Sequence, residues 1–258
     1  GHIDRALFPN IALLADDSTW YRNTTSVAPY TQAAVPAVAT GQYPEHPDDL
    51  PIAQNFPESV FSLLGGSYRV NAHEDSSESL CGVASCTVRN PTATRALIRN
   101  TRNLWWEFAA PGNAAKPQCV CDANTIRDGL PRANRFLREL RRSKGPTFDY
   151  LHVLLPHAPW HLQPNGQAYD KEFSVPGGID LETLRWGPQR TADAGRKRHL
   201  LQLQAFDNYL GKVIEKLQRW GEYDDTLIVL TADHGVSFTG KEPYRLPTKR
   251  NYHEIMWV

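Results

Sequence analysis

The chain has 258 residues, of which 41% are hydrophobic and 22% are charged, a composition that is typical of a globular domain with a substantial core. Its 28 basic and 28 acidic residues cancel to a formal net charge of zero, which argues against non-specific binding to nucleic acid. No apolar run approaches the length that spans a membrane, and the first residues do not resemble a secretion signal. We therefore expect one large domain, while an anchor in segments outside this chain stays open.

Apolar spacing, prolines and glycines divide the chain into helices and strands. In chain order, the predicted elements are a helix opened by Pro9, a helix over 31–40 with a kink at Pro36, a short helix from Pro57, a strand over 68–72, a helix over 133–142, a strand over 148–155, and a long helix through 200–217 that ends near Gly221. The alternation of helices with buried apolar runs indicates an α/β fold, with a central, largely parallel sheet and helices on both faces.

The region 74–128 has weak periodicity and is predicted to be an irregular insertion with some helix. It contains two close pairs of cysteines, Cys81 with Cys86 and Cys119 with Cys121. Inert buried thiols and a zinc site are both open, although the spacing is not that of a usual zinc finger and no histidine lies between the pairs. Polar residues beside each pair favour disulfides and therefore an extracytoplasmic compartment, but the connectivity is not readable.

The stretch from Thr226 to Gly235 carries the strongest functional signal. Residues 226–230 (Thr-Leu-Ile-Val-Leu) form an apolar run of the kind that makes a strand buried on both faces, and Asp233 and His234 follow it. Because ligands bind beyond the carboxyl ends of strands in open α/β sheets, both side chains are expected at the rim of the sheet. A carboxylate and an imidazole are ligands that divalent metals accept. The alternative is that the pair only caps a turn.

Three further residues are placed to act with that pair. His157 follows the predicted strand 148–155, and the prolines beside it restrict its backbone, so it would share the rim with Asp233. His161 is a weaker candidate in the same loop. Thr31 opens a predicted helix, where free backbone N–H groups favour an anion, and a divalent cation would make its hydroxyl a usable nucleophile. Each has a structural alternative: a histidine satisfied by local hydrogen bonds, and a threonine that caps its helix.

Several short blocks of sequence occur in a characteristic order, although no single block is specific by itself. They are Phe8-Pro9-Asn10-Ile11 with Trp20-Tyr21-Arg22-Asn23, the run from Thr31 through Thr40-Gly41-Gln42-Tyr43-Pro44, Pro156-His157-Ala158-Pro159, and the run from Asp207 through Gly221-Glu222-Tyr223-Asp224 to Asp233-His234-Gly235. In this order they resemble the sulfatase branch of the alkaline phosphatase superfamily, over most of the chain outside 74–128. The resemblance implies that family's three-layer α/β sandwich.

The resemblance also implies a nucleophile. In that superfamily it lies nine residues before the threonine of a Thr-Gly pair, which is Thr31 counted back from Thr40. Sulfatases place there a cysteine or serine that becomes formylglycine and is followed by proline and arginine. Here the sequence after Thr31 is Gln-Ala-Ala, so that motif is absent. The chain is similar instead to the family's phosphodiesterases and its phosphoethanolamine or glycerophosphate transferases, which form a phosphothreonine.

We therefore predict a metal-dependent hydrolase or transferase of phosphate esters, with sulfate-ester hydrolysis and an inactive ligand- or partner-binding domain as alternatives. The implied catalytic residues are Thr31 and His157, the implied metal ligands are Asp233, His234 and Thr31, and the implied substrate-binding residues are His161, Lys241 and Arg245. The cofactor would be a divalent ion, Mn, Zn, Mg or Ca. The substrate would belong to a lipid or an envelope polymer, and the full protein would be membrane-anchored with this domain outside the cell.

A pair of aspartates only superficially resembles a metal site. Asp16 and Asp17 follow an apolar run, as ligands of the family's first strand do, but Asp17 is only fourteen residues before Thr31, too few for that role. The run matches better the helix after that strand, so both aspartates are expected to be solvated. The first strand and its acidic ligand are then expected before Gly1, and more chain after Val258. Residues 1–258 are thus expected to form a single but incomplete catalytic domain.

Overall fold

A computed structural model describes residues 3–46, 48–74, 80–82, 129–169, 178–180 and 183–258. The helices are α1 (Pro9–Asp16), α2 (Thr31–Thr40), α3 (Val60–Leu64), α4 (Gly129–Glu139), α5 (Gln189–Trp220) and α6 (Tyr252–Met256). The strands are β1 (Arg69–Glu74), β2 (Thr147–His152), β3 (Ile179–Asp180) and β4 (Arg185–Trp186). Every helix that the sequence predicted among these residues is present. The bounds agree within a few residues except at the start of α5, which begins at Gln189, eleven residues before the predicted run over 200–217.

The core of the described sheet is a parallel pair of strands, β1 and β2, in register from Arg69 opposite Thr147 to Glu74 opposite His152. Helix α3 covers this pair through Phe61, which is fully buried and lies edge-on to Tyr150 with ring centroids 5.0 Å apart. A parallel pair with helices packed against it is the local arrangement that the predicted α/β fold requires.

Helix α5 carries the apolar face that the sequence predicted and joins two other helices. Its Leu210 and Ile214 pack against Leu14 of α1, and its Leu217 packs against Phe136 of α4. The helix ends at Gly221, which adopts a left-handed backbone with φ of 68° that glycine accepts without a steric penalty. Although α5 has 32 residues, none of the described helices is long and apolar enough to cross a membrane.

A buried carboxylate fixes α1 on α5. Asp207 is only 1% exposed, and its two oxygens accept hydrogen bonds from the backbone N–H of Ile11 at 2.7 Å and from the side chain of Asn10 at 2.8 Å. A carboxylate at a helix N-terminus accepts hydrogen bonds from the free N–H groups, and its negative charge is attracted to the positive end of the helix dipole. Asp16 and Asp17, at the other end of α1, are exposed as expected.

The predicted strand over 226–230 is wrong for the described structure. This segment is extended, but it belongs to no strand, and Leu227 and Val229 are 90% and 78% exposed. Only Ile228 reaches the core, against the clusters of α1, α4 and α5. A strand requires a neighbouring backbone to pair with, and among the described residues none forms a backbone hydrogen bond with 227–232.

Two other predictions lie largely outside the described residues. The insertion over 74–128 is described only at residues 74 and 80–82. Cys81 is buried in the core beside β1 and is disulfide-bonded, while the other three cysteines lie outside the described residues. The pairing of the four cysteines therefore stays a prediction.

An aromatic cluster connects α5 to β4, to the loop after β2 and to the segment after α5 that contains Phe238. Trp160 and Trp186 are stacked at 6.1 Å between ring centroids, and Phe238 packs against both. His199 of α5 borders the cluster, 5.2 Å from the ring of Phe238. Burial lowers the pKa of His199 to about 4, despite an opposing hydrogen bond to the backbone of Pro156. The His199 ring is therefore neutral at neutral pH.

We predict that His199 makes the fold sensitive to acid. Above pH 6.5 the ring is neutral in the folded and the unfolded protein, so it imposes no penalty. As the pH falls from 6.5 to about 4, the unfolded chain gains a proton that the folded protein excludes, and the free energy of unfolding falls by at most roughly 3 kcal/mol. Urea unfolding of the wild type and His199→Phe across this range measures the difference.

The variant His199→Phe is expected to lose part of this pH dependence, because a phenyl ring cannot be protonated. Replacing the exposed His253 by Gln provides the control and is expected to leave the wild-type dependence unchanged. Equal pH dependence in the wild type and His199→Phe would contradict the assignment.

Candidate active site

Asp233 and His234 lie where the extended run 226–232 turns toward α6. The side chain of Ser26 donates to the carbonyl of Asp233 at 2.5 Å, and the N–H of Gly235 donates to the carbonyl of Ile255 at 2.7 Å. The pair is therefore held from two sides, by the loop before α2 and by the last turn of α6. Both side chains are largely buried, with His234 6% and Asp233 22% exposed.

Thr31 faces this pair. It is the first residue of α2, after Tyr30 as N-cap, and no side chain caps the helix, so the hydroxyl does not serve the capping role that was the structural alternative. Its Oγ1 lies 3.3 Å from Nε2 of His234, and it also hydrogen-bonds the carboxylate of Asp233. The structure thus brings together three of the residues that the sequence selected.

The protonation states of the pair follow from its neighbours. Nδ1 of His234 lies 2.8 Å from the carbonyl oxygen of Gly235, so Nδ1 carries the hydrogen and Nε2 presents a lone pair. Burial, opposed by the charge of Asp233, lowers the pKa of His234 and keeps the ring neutral. Burial raises the pKa of Asp233, but His234 and the Thr31 hydrogen bond outweigh it, so the pKa falls below its usual value.

This arrangement favours a cation. The lone pair of His234 Nε2 and an ionised oxygen of Asp233 lie 3.5 Å apart, with the Thr31 oxygen beside them. Two electron-rich atoms at that separation in a buried site repel each other unless a positive charge lies between or beside them. The same three atoms are of the types that divalent metals bind.

A second group adds positive charge near the pair. Nδ1 of His157 faces the carbonyl of its neighbour Ala158, and its Nε2 faces the guanidinium of Arg245. Because arginine only donates, His157 Nε2 accepts and the ring is neutral. Burial, with the charge of Arg245, lowers the pKa of His157 to about 4. Arg245 forms no ion pair with a carboxylate of the described residues, and its charge also lowers the pKa of His234.

Comparison with known protein families shows which family the chain belongs to. The family model described as Sulfatase matches residues 2–257. The chain belongs to the sulfatase family. Membership confirms the predicted alkaline phosphatase-like α/β fold, of which β1, β2 and their helices are the described part. No curated protein matches the chain significantly.

Family membership also bears on chemistry. Sulfatase-family proteins are hydrolases and transferases that act on sulfate or phosphate esters, and they generally use divalent metal ions. In this sulfatase-family chain, Asp233 and His234 fit such an ion by donor type and by their mutual repulsion. Among the residues that the structure describes, however, no group of three or more His, Cys, Asp or Glu side chains is arranged to hold one. Among the described residues these two side chains alone do not make a complete metal site.

Sequence reasoning missed His152. It is the last residue of β2. Burial lowers the pKa of His152, and the charges of Asp233 and His234 raise and lower it, respectively. Because both charges act on it, His152 lies near the pair. The prediction carried the strand on to residue 155 and so treated His152 as an interior strand residue. The parallel pairing of Glu74 with His152 instead places both at the carboxyl end of the described sheet, where α/β folds bind ligands.

Two predicted substrate-binding residues are not brought to the pair by their described contacts. His161 bonds within its own loop, with Nδ1 3.0 Å from the carbonyl of Pro159. Lys241 is exposed, and its backbone contacts Gly187 and Arg185 near β4. Their roles stay predictions, whereas Arg245 contacts His157, which the sequence also selected.

Proposed function

We propose that this protein transfers phosphoryl groups from phosphate esters, through a phosphothreonine formed on Thr31. The observation that carries the proposal is the convergence of the Thr31 hydroxyl with His234 Nε2 at 3.3 Å and with the Asp233 carboxylate. The hydroxyl is free of a capping role and faces two groups able to take its proton. The absence of a formylglycine motif around Thr31 supports phosphate over sulfate.

In this mechanism, the Thr31 oxygen forms a bond to phosphorus while the bond from phosphorus to the leaving oxygen breaks, and the electron pair departs with that oxygen. The Thr31 proton passes to a carboxylate oxygen of Asp233, because the lone pair of His234 Nε2 would bind the metal ion. A water molecule or an acceptor hydroxyl then takes the phosphoryl group from Thr31, which regains its hydroxyl. Water as acceptor gives hydrolysis, and an alcohol gives transfer.

A divalent ion held by Asp233 and His234, with the Thr31 oxygen beside it, would stabilise the negative charge that develops on the phosphoryl oxygens. Because two side chains do not complete a metal site, we propose that an acidic residue outside the described part of the chain supplies a further ligand.

Arg245 would bind the anionic group of the substrate, because it is a half-buried cation without a carboxylate partner among the described residues. His157 would support this binding. Its Nε2 accepts from Arg245 and bears no proton, which favours a role in anion binding over protonation of the leaving oxygen.

The biological substrate would be a lipid or an envelope polymer, met by a membrane-anchored protein on the outer side of the cell membrane. The predicted disulfides agree with that compartment. Hydrolysis of sulfate esters is the second candidate, supported by family membership alone.

Trapping the intermediate tests the proposal. The full-length protein is incubated with divalent metal and either 4-nitrophenyl phosphate, bis(4-nitrophenyl) phosphate or 4-nitrophenyl sulfate. Acid quenching and mass spectrometry of the peptide that contains Thr31 are expected to reveal added phosphate with the monoester, added 4-nitrophenyl phosphate with the diester, and no addition with the sulfate ester. Release of sulfate with an unmodified Thr31 would favour the second candidate. No turnover and no modification with any substrate would favour a binding domain.

A further inference from the structure

The loop 156–162, which carries His157, is attached to α5 by Gln202 as well as by the contacts of His199. Gln202 is fully buried, at 0% exposure. Its Oε1 accepts from the backbone N–H groups of His161 at 3.0 Å and Leu162 at 3.2 Å, and its Nε2 donates to the carbonyl of His157 at 2.7 Å. Three backbone groups of the loop therefore depend on a single amide.

The two halves of this amide do different things. The acceptor half satisfies two N–H groups at the far end of the loop, whereas the donor half serves the His157 carbonyl alone. Buried backbone groups are expensive to leave without a partner, so the loop has one favoured position on α5. The position of the His157 backbone is thus set from inside the protein.

From His157 the chain of contacts continues to Arg245. The imidazole is held by Nδ1 against the carbonyl of Ala158, which leaves Nε2 to accept from the guanidinium of Arg245. We propose that Gln202 is a positioning residue, which holds His157 so that His157 orients Arg245 toward the anionic group of the substrate. This inference rests on the proposed function, in which Arg245 binds that group.

The test compares Gln202→Met, which removes all three hydrogen bonds, with Gln202→Asn, which keeps a buried amide but shortens its reach. Gln204→Met is the matched control, because Gln204 lies on the same helix and bonds to Leu7 instead of the loop. In the full-length protein we measure kcat, KM and the inhibition constant for inorganic phosphate. We also record nitrogen NMR spectra of the histidines, with the His157 signals assigned by their loss in His157→Gln.

For Gln202→Met we expect the inhibition constant for phosphate and KM to rise and kcat/KM to fall on the order of 10²-fold, because a displaced binding group loses its geometry. Gln202→Asn is expected to change in the same direction by less, and Gln204→Met not at all. The His157 signals, which in the wild type correspond to a hydrogen on Nδ1, are expected to average between tautomers in both Gln202 variants.

A purely structural role of Gln202 predicts a different result for these variants. Folded Gln202 variants would then lose activity only in proportion to lost folded protein, with unchanged KM, phosphate inhibition and His157 signals, and that result would overturn the inference. If Gln202→Met does not fold, the same comparison with Gln202→Asn decides. Failure of the proposed function is separate: it would leave Thr31 unphosphorylated, while the His157 spectra would still report whether Gln202 positions the ring.

Discussion

Thr31→Ala is expected to reduce phosphate-ester turnover by roughly 10⁴-fold or more, because among the described residues no other hydroxyl contacts the side chains of Asp233 and His234. Thr31→Ser retains a hydroxyl at the same position and is expected to keep turnover within about 10²-fold of the wild type. Steady-state kinetics of the full-length protein with 4-nitrophenyl phosphate and its diester measure both effects.

The same helix supplies a control for this prediction. Thr40 lies at the opposite end of α2, where its hydroxyl donates to the carbonyl of Pro36 at 2.8 Å. Thr40→Ala makes the same chemical change away from the site and is expected to leave turnover near the wild-type value. Equal turnover in Thr31→Ala and Thr40→Ala would exclude Thr31 as the nucleophile.

Gly235→Ala is expected to have the second-largest effect, on stability and activity together. A Cβ at this position would overlap the backbone carbonyl oxygen of Glu254 and lie 3.3 Å from that of Ile255, so α6 and the loop must separate. Overpacking of this kind costs about 1–3 kcal/mol. The displacement also shifts the adjacent residue His234, because it disturbs the hydrogen bond from Gly235 to Ile255 that holds this segment in place.

Urea unfolding and turnover, measured on the same samples, check this expectation. Gly145→Ala is the control, because a Cβ there would meet no atom within 4 Å. If Gly235→Ala unfolds at the same urea concentration as Gly145→Ala and retains full turnover, the close approach of α6 does not position His234.

Local patterns were sufficient for the helices. The apolar positions of α5 recur at helical spacing, and the glycine that ends it is visible in the sequence, so both depend on residues close together in the chain. The same holds for α2, whose first residue was recognised by its position relative to Thr40 and Gly41. The prediction of a strand over 226–230 failed because an apolar run indicates burial but does not identify the neighbouring strand that makes burial possible.

Only part of the candidate site could be predicted from the sequence. Thr31, His157, Asp233 and His234 were selected by residue type and by resemblance, and the structure brings Thr31 to His234 across more than two hundred residues of chain. The contact between Arg245 and His157 and the proximity of His152 to Asp233 had no sequence signal, since each depends on how separate loops pack.

The sequence by itself determined the family, the helices and the residue types of the site, because these depend on local spacing and on the order of short blocks. Only the tertiary structure decided the states of those residues. The tautomers of His157 and His234 and their lowered pKa values arise from burial and from partners on other segments of the chain. The attachment of the His157 loop to Gln202 is likewise a long-range contact, because the two residues are forty-five positions apart and only folding brings them together.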